Sequence, residues 1–298
     1  MTEELAPIIL FIYKRPDHTR RVLEALQKNM YASNSVLYVF ADGAKNNASA
    51  EDLKVIEQTR AVIKEKKWCK EVTLIIRETN MNLEDNVIDG VTQIVQKHGK
   101  VVVLEDDIIT SPYFLKYCND GLKMYGDTKS VFSINAFMFP IDFETEPTTF
   151  LCPLATSSWG WATWADRWAK FETEPKYVDA LEDNWMLRSR FNFGSTNHFS
   201  MLKYMNTWDL RWYYTAFINN GVGVFPTKSL TKNIGFDGSG THGGNEDLEQ
   251  DIYLSEFPLV YQSSINLNAY SKLLYYFKIV PLSIKQRIKN RIKKLINY

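Results

Sequence analysis

Three carboxylates, Glu105, Asp106 and Asp107, follow without a spacer on the apolar run Val101-Val102-Val103-Leu104. A run of that kind reads as a strand buried on both faces, so the acids arrive at the end of a buried strand. Like charges this close repel and raise one another's pKa unless a cation sits among them. Mg²⁺ or Mn²⁺ suits the place, because both take oxygen ligands and leave positions open for phosphate. Open parallel sheets bind ligands at the carboxyl ends of their strands, which is where the triplet falls. A solvated acidic turn is the other reading, and the apolar run before the triplet favours the metal. The Ser111-Pro112 pair that follows reads as a helix start, with Ser at the N-cap and Pro at N1.

Other residues able to do chemistry are scattered along the chain. Arg15 ends the apolar run Pro7–Tyr13 and faces either a diphosphate or base, or a surface carboxylate. Asp42 closes the run Val36–Phe40, where Asp42-Gly43 is also an ordinary turn pair. Trp159, Trp161, Trp164 and Trp168 crowd into ten residues. A helix from about Ala162 would stack Trp161, Trp164 and Trp168 on one face as a core stripe. Alternatively, Trp161 beside Gly160 forms a pocket wall for a sugar ring. Asp209 lies between Trp208 and Leu210, a partly desolvated place that suits a general base, or else it is an N-cap or the partner of Arg211. Residues 235–245, GFDGSGTHGGN, hold five glycines and His242. Such a loop is either a connector or a lid whose N–H groups wrap a phosphate.

The elements that must carry these residues alternate. Apolar runs at Pro7–Tyr13, Val36–Phe40, Val72–Ile76 and Val101–Leu104 are separated by helical patterns over Thr19–Lys28, Glu51–Lys66 and Asn86–Gln96. Strand-helix alternation predicts an α/β fold, a doubly wound and mostly parallel sheet with right-handed crossovers. Helices over Phe114–Tyr125, Asp179–Arg190 and Trp208–Asn219, with strands over Ser130–Met138 and Val222–Pro226, make a smaller second half. No GxGxxG follows the first strand and no GxxxxGK[ST] occurs, which argues against a dinucleotide dehydrogenase and a P-loop NTPase.

Composition bounds the rest. The chain has 298 residues, 45% apolar and 23% charged, ordinary values for a globular protein. Cys69, Cys118 and Cys152 are far apart and odd in number, so no disulfide framework or zinc knuckle is indicated. Seven of the 35 Lys and Arg lie in residues 278–298, which hold no Asp or Glu. The remainder therefore has 28 bases against 35 acids, which argues against a nucleic-acid partner. In the tail, Ile284, Ile288, Ile292 and Ile296 recur at helical spacing among the bases. Residues 282–298 thus form a basic amphipathic helix, for an anionic membrane surface or for docking on an acidic one. No signal peptide and no run of about 18 apolar residues is present, so the expectation is a cytoplasmic protein, peripheral on the inner face of the membrane.

With these residues in view, the chain resembles the nucleotide-sugar glycosyltransferases of the GT-A fold. The branch concerned contains N-acetylglucosaminyltransferase I and bacterial polysaccharide and lipopolysaccharide enzymes. The resemblance covers most of residues 7–250. It is carried by the strand with Glu105-Asp106-Asp107, by Gly160-Trp161 and Trp208-Asp209, and by Pro226, Ser229, Thr231, Asn233 and Gly235 leading into Gly240-Thr241-His242. It implies a nucleotide-binding half over 1–127, an acceptor half over 128–277 with a Gly-rich lid at 235–245, and a separate tail from 278. By motif it implies that Asp107 holds Mn²⁺ or Mg²⁺, and that Asp209 is the catalytic base of an inverting transfer. Glu105 and Asp106 would meet the donor's ribose and sugar, Arg15 and Asp42 its base and phosphate, and Trp161 and His242 would line its site. Asn86 stands where the relative carries a histidine near the base, and Leu210 where it carries a second acid. The implied partners are a nucleoside diphosphate sugar, UDP-linked, and a glycan or lipid-linked glycan acceptor. A sugar nucleotidyltransferase, a metal-dependent phosphatase and a non-catalytic sugar-binding protein are the alternatives.

Overall fold

The computed structural model describes residues 4–143, 148–154, 156–176, 178–205, 207–238 and 251–279. Four strands and three helices alternate first: β1 (Ile8–Ile12), α1 (Pro16–Gln27), β2 (Val36–Ala41), α2 (Ala50–Val62), β3 (Glu71–Ile76), α3 (Asn82–His98) and β4 (Lys100–Glu105). The second part holds β5 (Ile108–Thr110), α4 (Phe114–Met124), β6 (Val131–Asn135), β7 (Thr149–Cys152), β8 (Trp161–Trp164) and α5 (Ala165–Trp168). Short helices α6 (Val178–Asp183), α7 (Trp185–Phe191) and α8 (His198–Tyr204) lead to α9 (Trp208–Ile218), β9 (Val222–Pro226), β10 (Thr231–Asn233) and α10 (Leu267–Ile279).

Eight strands form one sheet in the order β3-β2-β1-β4-β8-β6-β9-β7, and β5 pairs separately with β10. The first four strands are all parallel, as the alternation predicts. The strands β8 and β7 run antiparallel to their neighbours, whereas β6 and β9 are parallel. The result is a mixed, mostly parallel α/β sheet flanked by helices. Period-two alternation divides β1 between two cores. Ile8, Leu10 and Ile12 pack with Val22, Leu23 and Leu26 of α1 and Leu115 of α4. Ile9 and Phe11 pack with Val87, Val91 and Ile94 of α3 on the opposite face. Helix α3 ends at Gly99, whose φ of 75° places it in the left-handed region and turns the chain into β4.

Several boundaries differ from the sequence reading. The expected helix from Ala162 is absent. Trp161–Trp164 is a strand, so Trp161 and Trp164 face opposite ways, and each enters a different core. Backbone pairing with both β4 and β6 overrides the helical spacing of the tryptophans. Helix α4 begins at Phe114 with Tyr113 at its N-cap, not at Ser111-Pro112. The expected helix over Asp179–Arg190 is broken at Asn184, whose side chain caps α7 by accepting the Met186 and Leu187 N–H groups. Strand β6 stops at Asn135. Helix α10 spans the expected boundary at residue 278. The amphipathic segment from residue 282 lies outside the described residues. Among the described residues, no helix is long and apolar enough to cross a membrane.

Candidate active site

The carboxyl ends of β1, β2 and β4 converge by register, since Ile12 pairs with Ala41 and Phe11 with Glu105. Tyr13 to Arg15, Asp42 and the acidic triplet are therefore neighbours across one sheet edge. Arg15, in the turn between β1 and α1, reaches over it. Its Nη1 lies 3.0 Å from Asp107 Oδ2 and 3.3 Å from Asp106 Oδ1. The Arg15 side chain is only 16% exposed, so this is a lining contact and not the surface salt bridge that position alone suggests.

One guanidinium does not neutralise three acids. Burial, then the Asp107 charge, pushes Asp106 up to about 7, against Arg15 and the Tyr13 N–H, which pull it down. Glu105 is also raised, by burial first, then by Asp107, Asp106, Asp209 and Glu84. The Asp209 charge therefore reaches the end of β4 from the other half of the fold.

The β5–β10 ladder closes the triplet from above. The Ile234 N–H donates to the Asp107 carbonyl at 2.9 Å, and the Gly235 N–H donates to Asn233 Oδ1 at 2.7 Å. A Cβ at Gly235 would stand 2.2 Å from Asp107 Oδ2, so no side chain fits against the carboxylate there. His18, in the first turn of α1, sits 3.3 Å from the Ile234 carbonyl and 3.2 Å from Asp237.

The triplet can be tested for a metal on its own atoms. Asp107 Oδ1 is buried with no hydrogen-bond partner among the described residues, an unfavourable state that a cation would relieve. No group of three His, Cys, Asp or Glu side chains among the described residues is arranged to hold a metal by itself. The donor set thus fits an ion held by Asp107 and completed by oxygens of a bound ligand or water, a pattern typical of Mg²⁺ with phosphates.

The other expected residues take distinct places. Asp42 is buried and committed to the loop after β3. Its Oδ1 accepts from Gly43 N and Met81 N, each at 2.8 Å, and its Oδ2 accepts from Asn80 Nδ2 at 2.8 Å. Burial nevertheless raises its pKa. Asn86 is buried on α3, where its Oδ1 accepts from Arg77 Nε at 3.1 Å, and Arg77 lies over the Phe40 ring. Trp161 is 1% exposed, stacked on Trp208 and tilted against Trp168 and Trp212. The indole that lines an open space is instead Trp159, held edge-on by Phe137. His242 lies outside the described residues, as do 239–245 of the glycine-rich loop.

Asp209 occupies the first turn of α9, behind an N-cap at Thr207, whose hydroxyl donates to its Oδ1. The expected partner, Arg211, turns instead to Glu84, with Nη2 3.5 Å from Oε2, and to the Thr173 carbonyl. Asp209 and Trp159 share the wall of a cavity of about 200 Å³ with His198, Ser157 and aromatic residues such as Phe139 and Tyr213. Burial lowers the His198 pKa to about 4, which leaves the imidazole neutral at pH 7.

Glu84 was not foreseen. It sits in the first turn of α3 and accepts the backbone N–H of Trp208, the first residue of α9. In sequence Glu84-Asp85 is an unremarkable acidic pair at a helix N-terminus, favoured there by the dipole. Its contact spans 124 positions, which no local pattern encodes.

No known protein family and no curated protein matches the chain. Solved structures do resemble it. One of S. aureus TarS has 12% identity over 76% of this chain and 36% of that one, with a TM-score of 0.37. A shorter TarS in complex with UDP has 13% identity over 76% and 59%, TM-score 0.37. A UDP-glucose pyrophosphorylase complexed with UDP-glucose has 10% identity over 74% and 90%, TM-score 0.36. The chain thus spans between about one third and three fifths of the TarS structures.

Proposed function

We propose that this protein is an inverting glycosyltransferase that moves a sugar from a UDP-sugar to a hydroxyl of a glycan or lipid-linked glycan, assisted by Mn²⁺ or Mg²⁺. One observation carries the reading. The charge of Asp209, from the second half of the chain, acts on Glu105 at the end of β4, next to Asp107. Asp107 has one buried oxygen without a partner, and Asp209 opens on a separate, aromatic cavity. The motif resemblance supports the same division.

Asp107 would hold the metal, which, when bound, neutralises charge on the departing diphosphate. Arg15 stands beside it with a guanidinium suited to bidentate phosphate binding. Gly235 lets the backbone after β10 approach that carboxylate closely. On the acceptor side, Trp159 offers an indole for a sugar ring and Asp209 takes the proton of the attacking hydroxyl. A single displacement from the face opposite the diphosphate inverts the anomeric centre and needs no covalent intermediate. The geometry of an inverting glycosidase follows the same logic with water in place of the acceptor.

The test compares Asp209→Asn with Asp107→Ala. Asp209→Asn should bind UDP as wild type does and lose transfer by about 10²–10⁴-fold, the usual worth of a general base. Asp107→Ala should lose metal-dependent UDP binding. Equal loss of UDP binding in both variants would contradict the division of roles.

A further inference from the structure

Helix α9 carries Asp209, and its Trp208 and Trp212 pack in one core with Val101 and Val103 of β4. Its N-cap, Thr207, makes no side-chain bond to the helix's free N–H groups, and its hydroxyl is turned to Asp209. One of those free N–H groups, that of Trp208 at the first helical position, is taken by Glu84 of α3. The same Glu84 oxygen faces Arg211 Nη2 at 3.5 Å, one turn further along α9. Arg211 is 11% exposed and is also tied to the Thr173 carbonyl, so it is a fixed partner. Glu84 therefore grips the first turn of α9 at two points, on either side of Asp209.

Helix α3 belongs to the other half of the molecule. It follows the Asn80–Met81 loop that Asp42 holds, and it carries Asn86. Its apolar face packs under β1 and against Trp208 and Trp212 of α9. A shift of α3, or of the loop before it, would be passed through Glu84 to the turn that bears Asp209.

We propose that Glu84 is a positioning residue. It locks the first turn of the base-bearing helix to the nucleotide-side helix, and so sets where the Asp209 carboxylate stands relative to the β4 acids. The proposal rests on the reading of Asp209 as the base. Displacing a reacting group by an ångström can cost about 10²-fold, so loss of the lock is expected to slow transfer by about 10- to 100-fold.

The experiment is a double-mutant cycle on the full chain with a radiolabelled UDP-sugar and Mn²⁺, using Glu84→Ala, Glu84→Gln, Asp209→Asn and Glu84→Ala combined with Asp209→Asn. UDP titration counts the competent molecules in each preparation, so a variant that merely folds poorly is corrected for. The expected result is a fall in kcat for Glu84→Ala at unchanged KM for the donor and unchanged UDP affinity. Glu84→Gln, which keeps an oxygen for the Trp208 N–H, should recover most of the rate. In the Asp209→Asn background, Glu84→Ala should cost nothing more. A Glu84→Ala enzyme within twofold of wild type beside an inactive Asp209→Asn would overturn the proposal alone. So would a full further loss in the Asp209→Asn background. An active Asp209→Asn enzyme would remove the base assignment, and the positioning role with it.

Discussion

Arg15 donates to one oxygen of Asp107 at 3.0 Å, while the other oxygen, Oδ1, is buried with no partner among the described residues. The same guanidinium serves Asp106. Arg15 is thus the charge that holds the acidic triplet together in the protein alone. Arg15→Gln would leave clustered carboxylates without their cation, a loss of about 3–5 kcal/mol for a buried pair broken on one side. Thermal melting should show a lowered Tm in EDTA and a larger upward shift with Mn²⁺ than wild type shows. Equal Mn²⁺ shifts in the two proteins would mean that the cation does not meet these acids.

The pH dependence of stability should carry the mark of Asp106. Its folded pKa, about 7, lies above the ordinary value of 3.8. Between those values the folded chain holds a proton that the unfolded chain has released, so this group lowers stability as pH rises from about 4 to 7. Asp106→Asn removes that contribution and keeps an oxygen for Arg15. Without metal, the variant should match wild type at pH 4 and exceed it at pH 8 by on the order of 4 kcal/mol, as read from urea unfolding. A constant difference across that range would count against the assignment.

The two tryptophans near Gly160 should separate cleanly. Trp161 is packed among three other indoles, and Trp161→Ala should cost about 3–5 kcal/mol of stability. Trp159 lines the cavity beside Asp209. Trp159→Ala should cost less stability and raise the acceptor KM at least about fivefold, the worth of one aromatic contact. Urea unfolding and acceptor-saturation kinetics on both variants decide the matter, and an unchanged KM for Trp159→Ala would move the acceptor elsewhere.

Of the four parallel strands, β1, β2 and β4 were legible because each is a continuous apolar run, and continuity is what burial on both faces demands, whereas β3 lies at the sheet's edge and alternates exposed with half-buried residues over most of its length. The acids at the end of β4 were legible for the same reason, since charge directly after such a run stands out. Asp209 was visible between two large apolar residues, yet its surroundings were not, because Thr207 and Glu84 take the contacts that spacing assigned to Arg211. The tryptophan run was misread as helix because Trp161, Trp164 and Trp168 satisfy a helical spacing and a short strand followed by one helical turn equally well. The choice was made by pairing with β4, a strand some sixty residues earlier. The β5–β10 ladder was missed for a related reason. Each strand is three residues long, and the ladder exists only through the other.

Isothermal calorimetry of UDP binding, in Mn²⁺ and in EDTA, on wild type and Asp107→Ala, is the most direct test. Wild type should bind UDP in Mn²⁺ at least about tenfold more tightly than in EDTA, a difference of 1.4 kcal/mol or more. Asp107→Ala should lose that difference while keeping its fold by circular dichroism. UDP affinity that ignores the metal in wild type, or a metal effect that survives in Asp107→Ala, would contradict a donor site built on Asp107.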